Sequence, residues 1–149
     1  MITIKNRQKN IPFSTIAYRK KAEKILDFLR YSDFDLGILL TTNRTMQKYN
    51  QQFRNKNKPT DVLSFPYHLD AKAGKKIVAR SDEDKNLGDI LISLPYVFDN
   101  KHELGGDFEN RMNLMLVHGI CHLLGHDHHE DDDYKKMSAL EKKLLKLIE

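Results

Sequence analysis

MNLMLVHGICHLLGHDH, residues 112–128, is the stretch around which this chain organises. From Met112 to Leu124 it is apolar almost all round, and a helix of that kind belongs in the middle of a domain. Asp107 is placed to cap its start, and Gly125 is a natural residue to stop it. His118 and His122 lie four positions apart. On an α-helix that separates them by about 40° in angle and about 6 Å along the axis, so both imidazoles face one point. A turn at Gly125 returns His128 toward the same point. Three neutral imidazoles with one open position form the ligand set of a catalytic zinc rather than a structural one. His126 and His129 read as bystanders in a solvated loop. Cys121 reads as a small buried hydrophobe on another side of the helix. Asp127 either orients a ligand from behind or caps the turn.

The spacing His118-x3-His122-x2-Gly125-x2-His128 also matches the metal ligands of the metzincin proteases. Those enzymes carry a glutamate immediately after the first histidine as general base. This chain has Gly119 there, so the metal frame is present while the protease base is not.

Outward from this helix, the pattern alternates strands and helices. ITI (2–4) is a short first strand. Ser14 caps a helix reaching about Leu29, with Ala17, Ala22, Ile25, Leu26 and Leu29 as its inner stripe. FDLGILLTT (34–42) is a strand whose Ile38-Leu39-Leu40 run indicates burial on both faces. Thr42 caps a second helix carrying Met46, Tyr49 and Phe53, which fails before Pro59. DVLSFP (61–66) is a strand ended by Pro66. LGDILIS (87–93) is another. The polar stretch from about Asp70 to Asn86 reads as an exposed loop or mobile hairpin. A last helix runs from about Glu130 to Ile148, acidic at its start as the helix dipole favours. Its expected stripe is Tyr134, Met137, Leu140, Leu144 and Leu147.

The length of 149 residues supports one domain with a hydrophobic core. No apolar run approaches the roughly 20 residues of a membrane helix. MITIKNRQKN has no apolar h-region, so no signal peptide is expected. A single cysteine excludes an internal disulfide and suits a reducing cytoplasm. The net charge of +4 favours an anionic partner such as nucleic acid.

Three blocks resemble a known family. HGICHLLGHDH (118–128) is similar to the H-G-x-x-H-L-x-G-x-D-H signature of the YbeY family of endoribonucleases. NQQFRNKNKPTDVLSFP (50–66) and LGDILIS (87–93) match that family's pattern in the same order. The resemblance implies a single-domain α+β fold over residues 1–149, with a small mixed sheet and a central metal-bearing, zincin-like helix. It implies a metal-dependent nuclease for single-stranded RNA, acting with the small ribosomal subunit and its assembly factors in ribosomal RNA maturation and quality control. One zinc per chain carries over to His118, His122 and His128, and the family's functional arginine to Arg54. Cys121 stands in place of the usual Leu. Asn57 stands where Asp is common, removing a charge near Arg54.

A metal can polarise a phosphoryl oxygen or acidify bound water. An arginine fork suits phosphate. Lys56 and Lys58 add charge beside Arg54, and Arg19, Lys20 and Lys21 read as a solvated helix face. Metal-bound hydroxide, a water held by Asp127, or the RNA's own 2′-hydroxyl remain open as the base. The competing readings are a metalloprotease and a ribosome-assembly factor with structural zinc.

Overall fold

The computed structural model describes residues 1–103 and 106–149. In chain order the elements are β1 (Ile2–Asn6), α1 (Thr15–Phe28), β2 (Asp35–Thr41), α2 (Asn43–Arg54), β3 (Val62–Pro66), β4 (Asn86–Ser93), α3 (Leu94–Asp99), α4 (Phe108–Leu123) and α5 (Asp131–Ile148). The fold is a single α+β domain. The four strands form one mixed sheet in the order β1-β2-β4-β3. β1, β2 and β4 run parallel, and β3 closes the edge antiparallel to β4.

Strand alternation divides the core. Ile38 and Leu40 of β2 join Ile90 and Ile92 of β4 in the main cluster, with α1, α4 and α5 packed over them. Leu91 turns the other way and meets Met46 and Leu63, with Leu39, Tyr49 and Phe65 at the margin. The expectation that β2 is buried on both faces is met on one: Leu36, Ile38 and Leu40 are buried, whereas Gly37 and Leu39 on the other face are half-buried and border an open groove beside the smaller cluster.

The caps follow the sequence. The Ser14 side chain accepts from the Ala17 amide, Thr42 from Thr45, and Asp107 from Asn110. Helix α4 ends in a Schellman turn: the Gly125 amide donates to His122 and the His126 amide to Cys121. Gly125 takes φ +91°, and a Cβ there would overlap the Ala71 carbonyl of the passing loop. Both conditions require glycine.

Several expectations are corrected. Ala17 is exposed and Tyr18 takes its place in the core; the Tyr18 hydroxyl donates to the Met112 carbonyl at 2.7 Å, fastening α1 to α4. Tyr134 is exposed, and Ile148 completes the stripe of α5 instead. Of the two readings of 70–85, the loop holds and the hairpin does not. It is a chain of turns pinned by buried Ile77, whose amide donates to the Tyr31 hydroxyl. The helix α3 was not expected; its six residues are too few to show a period, although Pro95 suits its first turn.

Gly119 fixes how closely α4 approaches the sheet. A Cβ at this position would lie 2.8 Å from Ile90 Cδ1 and 3.0 Å from Ile90 Cγ2, and Ile90 is itself fully buried. Gly119→Glu would force both overpacking and a carboxylate into the core. It is expected to cost about 3 kcal/mol or more, seen as a melting temperature lower by roughly 10 °C, and to create no casein hydrolysis. A variant that melts like the parent would mean that α4 can stand farther from β4.

Candidate metal centre

Helix α4 carries His118 and His122 on one face, beside the Gly119 position that meets Ile90, and the Schellman turn brings His128 back toward them. One nitrogen from each of the three imidazoles lies within 4.8 Å of the other two. The sequence-predicted trio is thus brought together. His118 and His122 are half-buried, whereas His128 is exposed at the mouth.

The hydrogen bonds assign the tautomers. His122 Nδ1 stands 2.9 Å from the His126 carbonyl, which only accepts, so Nδ1 carries the proton. His118 Nδ1 stands 3.1 Å from Glu141 Oε2, and it donates to that carboxylate. In the neutral rings both Nε2 atoms are therefore bare, and they face each other at 3.0 Å. Two lone pairs at that distance repel unless a cation lies between them. Nitrogens sharing one tetrahedral zinc, at about 2.0–2.1 Å each, would stand about 3.3 Å apart. The donor set fits such an ion. Burial, and then the neighbouring His118, push His122 below the usual imidazole range, against the pull of its bond to His126. The neutral form that a metal ligand needs is thereby favoured.

Two residues behind the three histidines are not apparent from the sequence. Glu141 lies on α5, 23 positions from His118 in the chain, and forms a carboxylate–histidine pair of the kind that orients metal ligands. His126 is not in a solvated loop. Its side chain is buried, and its carbonyl holds His122. Cys121 is buried as expected, and burial followed by the nearby Glu141 charge pushes its thiol up to about 12, so it is inert as a thiolate. Asp127 caps the turn: its Oδ1 accepts from the amides of His128 (2.6 Å) and His129 (3.2 Å). Asp127, His128 and His129 also cluster closely enough to hold an ion. That grouping is at the rim, and its carboxylate oxygen is already engaged.

The trio opens into a cleft of about 630 Å³ whose walls include Arg54, Asp61, Ser64 and Asp127. Arg54 is the last residue of α2, and left-handed Asn55 (φ 56°) turns the chain away after it. The Asn57 side chain accepts from Gln47 at 3.0 Å, so its amide serves the loop rather than holding Arg54. Lys56 and Lys58 do not line the cleft. Arg19 donates to the Ile2 carbonyl, and Lys21 ties α1 to Glu109 and Asn113 of α4; these are structural bonds rather than an extension of the cleft.

Residues 3–149 match the family model described as endoribonuclease YbeY. A Homo sapiens protein named endoribonuclease YbeY is 37% identical over 144 residues, which cover 97% of this chain and 86% of that one. A protein of the same name from Bartonella bacilliformis is 42% identical over 114 residues, covering 76% and 68%. Among solved structures, the solution structure of a Thermotoga maritima protein superposes with a TM-score of 0.65 at 26% identity, covering 99% of this chain and 89% of that one.

Proposed function

The chain belongs to the endoribonuclease YbeY family, and we propose that it is a zinc-dependent endoribonuclease specific for single-stranded RNA. In this reading one zinc is held by His118, His122 and His128, and Arg54 receives the phosphate. The physiological setting would be ribosomal RNA processing in the cytoplasm, including 3′-end maturation of the small-subunit RNA and ribosome quality control, with the small subunit and its assembly factors as partners. No helix among the described residues is long and apolar enough to cross a membrane.

One observation carries the reading. Two bare imidazole nitrogens, 3.0 Å apart, open into the same cleft as an exposed arginine. When bound, zinc would supply Lewis acidity toward a phosphoryl oxygen or acidify a water. The chain's own residues do the rest. Glu141 and the His126 carbonyl hold the two helical imidazoles in register. Arg54 offers a planar fork to the phosphate and stays charged throughout. The exposed rim at His128 leaves room for an extended strand.

The protease reading finds no support at position 119, which faces Ile90 in the core instead of the cleft. The test is direct. Purified protein is incubated with single-stranded RNA, duplex RNA and casein, with and without a chelator. Cleavage of the single strand alone, abolished by chelator and restored by zinc, is expected. Casein hydrolysis, or RNA cleavage indifferent to chelator, would overturn the proposal.

A further inference from the structure

A second groove, of about 560 Å³, lies on the other face of the sheet. Its wall is aromatic. Phe53 and Tyr49 of α2 lie nearly parallel, at 12° and 6.0 Å between ring centres, and Phe65 of β3 meets Phe53 edge-on at 5.1 Å. This cluster does not behave as closed core, because Phe53 is 55% exposed. We propose that it is a stacking platform for an unpaired nucleobase of the RNA that enters the metal cleft.

The topology joins the two grooves. β3 is one of the two edges of the sheet. Its Ser64 side chain reaches across to the Gly119 carbonyl on the α4 side, while Phe65 next to it packs on the α2 side. Edge strand β3 is thus the ridge between them. The end of α2 straddles the same ridge: Arg54 lines the metal cleft and the adjacent Phe53 lines the aromatic groove. A strand whose phosphate sits at Arg54 has its neighbouring base within reach of Phe53.

Charge decides which part of the strand enters. Lys5 and the Met1–Asp35 ion pair also line the groove, but the charge beside the rings is Asp89, opposite Phe65 in the β3–β4 register, its carboxylate where a Cβ on Gly37 would be. Asp89 makes no hydrogen bond or ion pair among the described residues, and an acid beside apolar rings repels phosphate while tolerating a flat uncharged base. The backbone is left outside, on the Arg54 side. Aromatic stacking of this kind is sequence-tolerant, because every base has a π-face, and it selects single strands because a paired base cannot reach the rings.

The platform rests on the nuclease reading above, so the experiment separates the two. The zinc-loaded chain is titrated with an oligoadenylate blocked at both the 2′-hydroxyl and the phosphodiester (2′-O-methyl phosphorothioate) and with an abasic strand of the same backbone, length and charge, while cleavage of ordinary single-stranded RNA is followed in parallel. Phe53→Ala is expected to weaken binding of the base-bearing strand by about 5- to 150-fold and to leave the abasic strand unchanged. Phe53→Trp restores the loss. If Phe53→Ala binds both strands as the parent does, or loses both equally, the platform is overturned while RNA cleavage by the parent still upholds the nuclease; a groove that receives a protein partner gives the first of these results. If the parent neither binds nor cuts RNA, the nuclease reading falls and the platform with it.

Discussion

Zinc content is expected to fall from one per chain to near zero when His118 or His122 is replaced by alanine, and RNA cleavage to fall with it. Each of these residues supplies a bare Nε2, and neither can be substituted from its own surroundings. Cys121, one residue before His122, is buried with its thiol pushed up to about 12. Asp127 has Oδ1 engaged by two backbone amides. Replacing Glu141 gives a graded result. Glu141→Gln keeps an oxygen for His118 Nδ1 but removes the charge, and loss of such an orienting partner typically weakens metal binding by about 10–100-fold. His129→Ala should leave zinc untouched. His126→Ala keeps the carbonyl that holds His122 while emptying a buried site, so it should melt earlier yet retain its zinc. Elemental analysis and thermal melting on the same samples read all of this. Full zinc occupancy in a normally melting His122→Ala would remove the ligand assignment.

What the sequence could reveal divides along physical lines. Local rules were legible. The caps at Ser14, Thr42 and Asp107 and the stop at Gly125 depend on a few neighbouring residues, and they form as read. The convergence of His118, His122 and His128 was legible for the same reason, since i and i+4 on a helix followed by a tight turn is local geometry. Glu141 was not. Its partner is on another helix, and an acid among lysines on α5 looks like any solvated charge until α5 is docked on α4. His126 was misread because a loop rich in His and Asp suggests water, whereas a Schellman turn folds that loop back over its own helix.

Core assignment failed where adjacent residues competed for one face. Ala17 and Tyr18 are both compatible with the stripe of α1. What selects Tyr18 is a carbonyl 94 residues away, at Met112, which satisfies its hydroxyl. Tyr134 fits the period of α5 but stands in its first turn, exposed to solvent. In 70–85 the composition is polar and the one anchoring residue, Ile77, has no periodic companion. Its burial depends on Tyr31, a contact between distant parts of the chain. The closeness of this segment to α4 is legible only afterwards, in the Ala71 carbonyl that leaves no space for a Cβ on Gly125.

Arg54→Ala is expected to lower RNA cleavage by about 10²–10³-fold while leaving zinc content and melting temperature as in the parent, the loss typical of removing one preorganised donor to a charge that grows in the transition state. The side chain is exposed at the end of α2 and makes no hydrogen bond or ion pair among the described residues, so truncation leaves no buried group unsatisfied. An exposed substitution of that kind usually changes stability by less than about 0.5 kcal/mol. Its position is nonetheless well defined, because the left-handed Asn55 ends the helix immediately after it and the cleft containing the three histidines lies against it. Arg54→Lys should recover only part of the rate, since an ammonium restores charge without the two parallel donors. If Arg54→Ala cuts RNA at the parental rate with parental zinc and melting, the phosphate is held by other groups. If melting collapses instead, Arg54 supports the fold, and the assignment of the phosphate to it fails on different grounds.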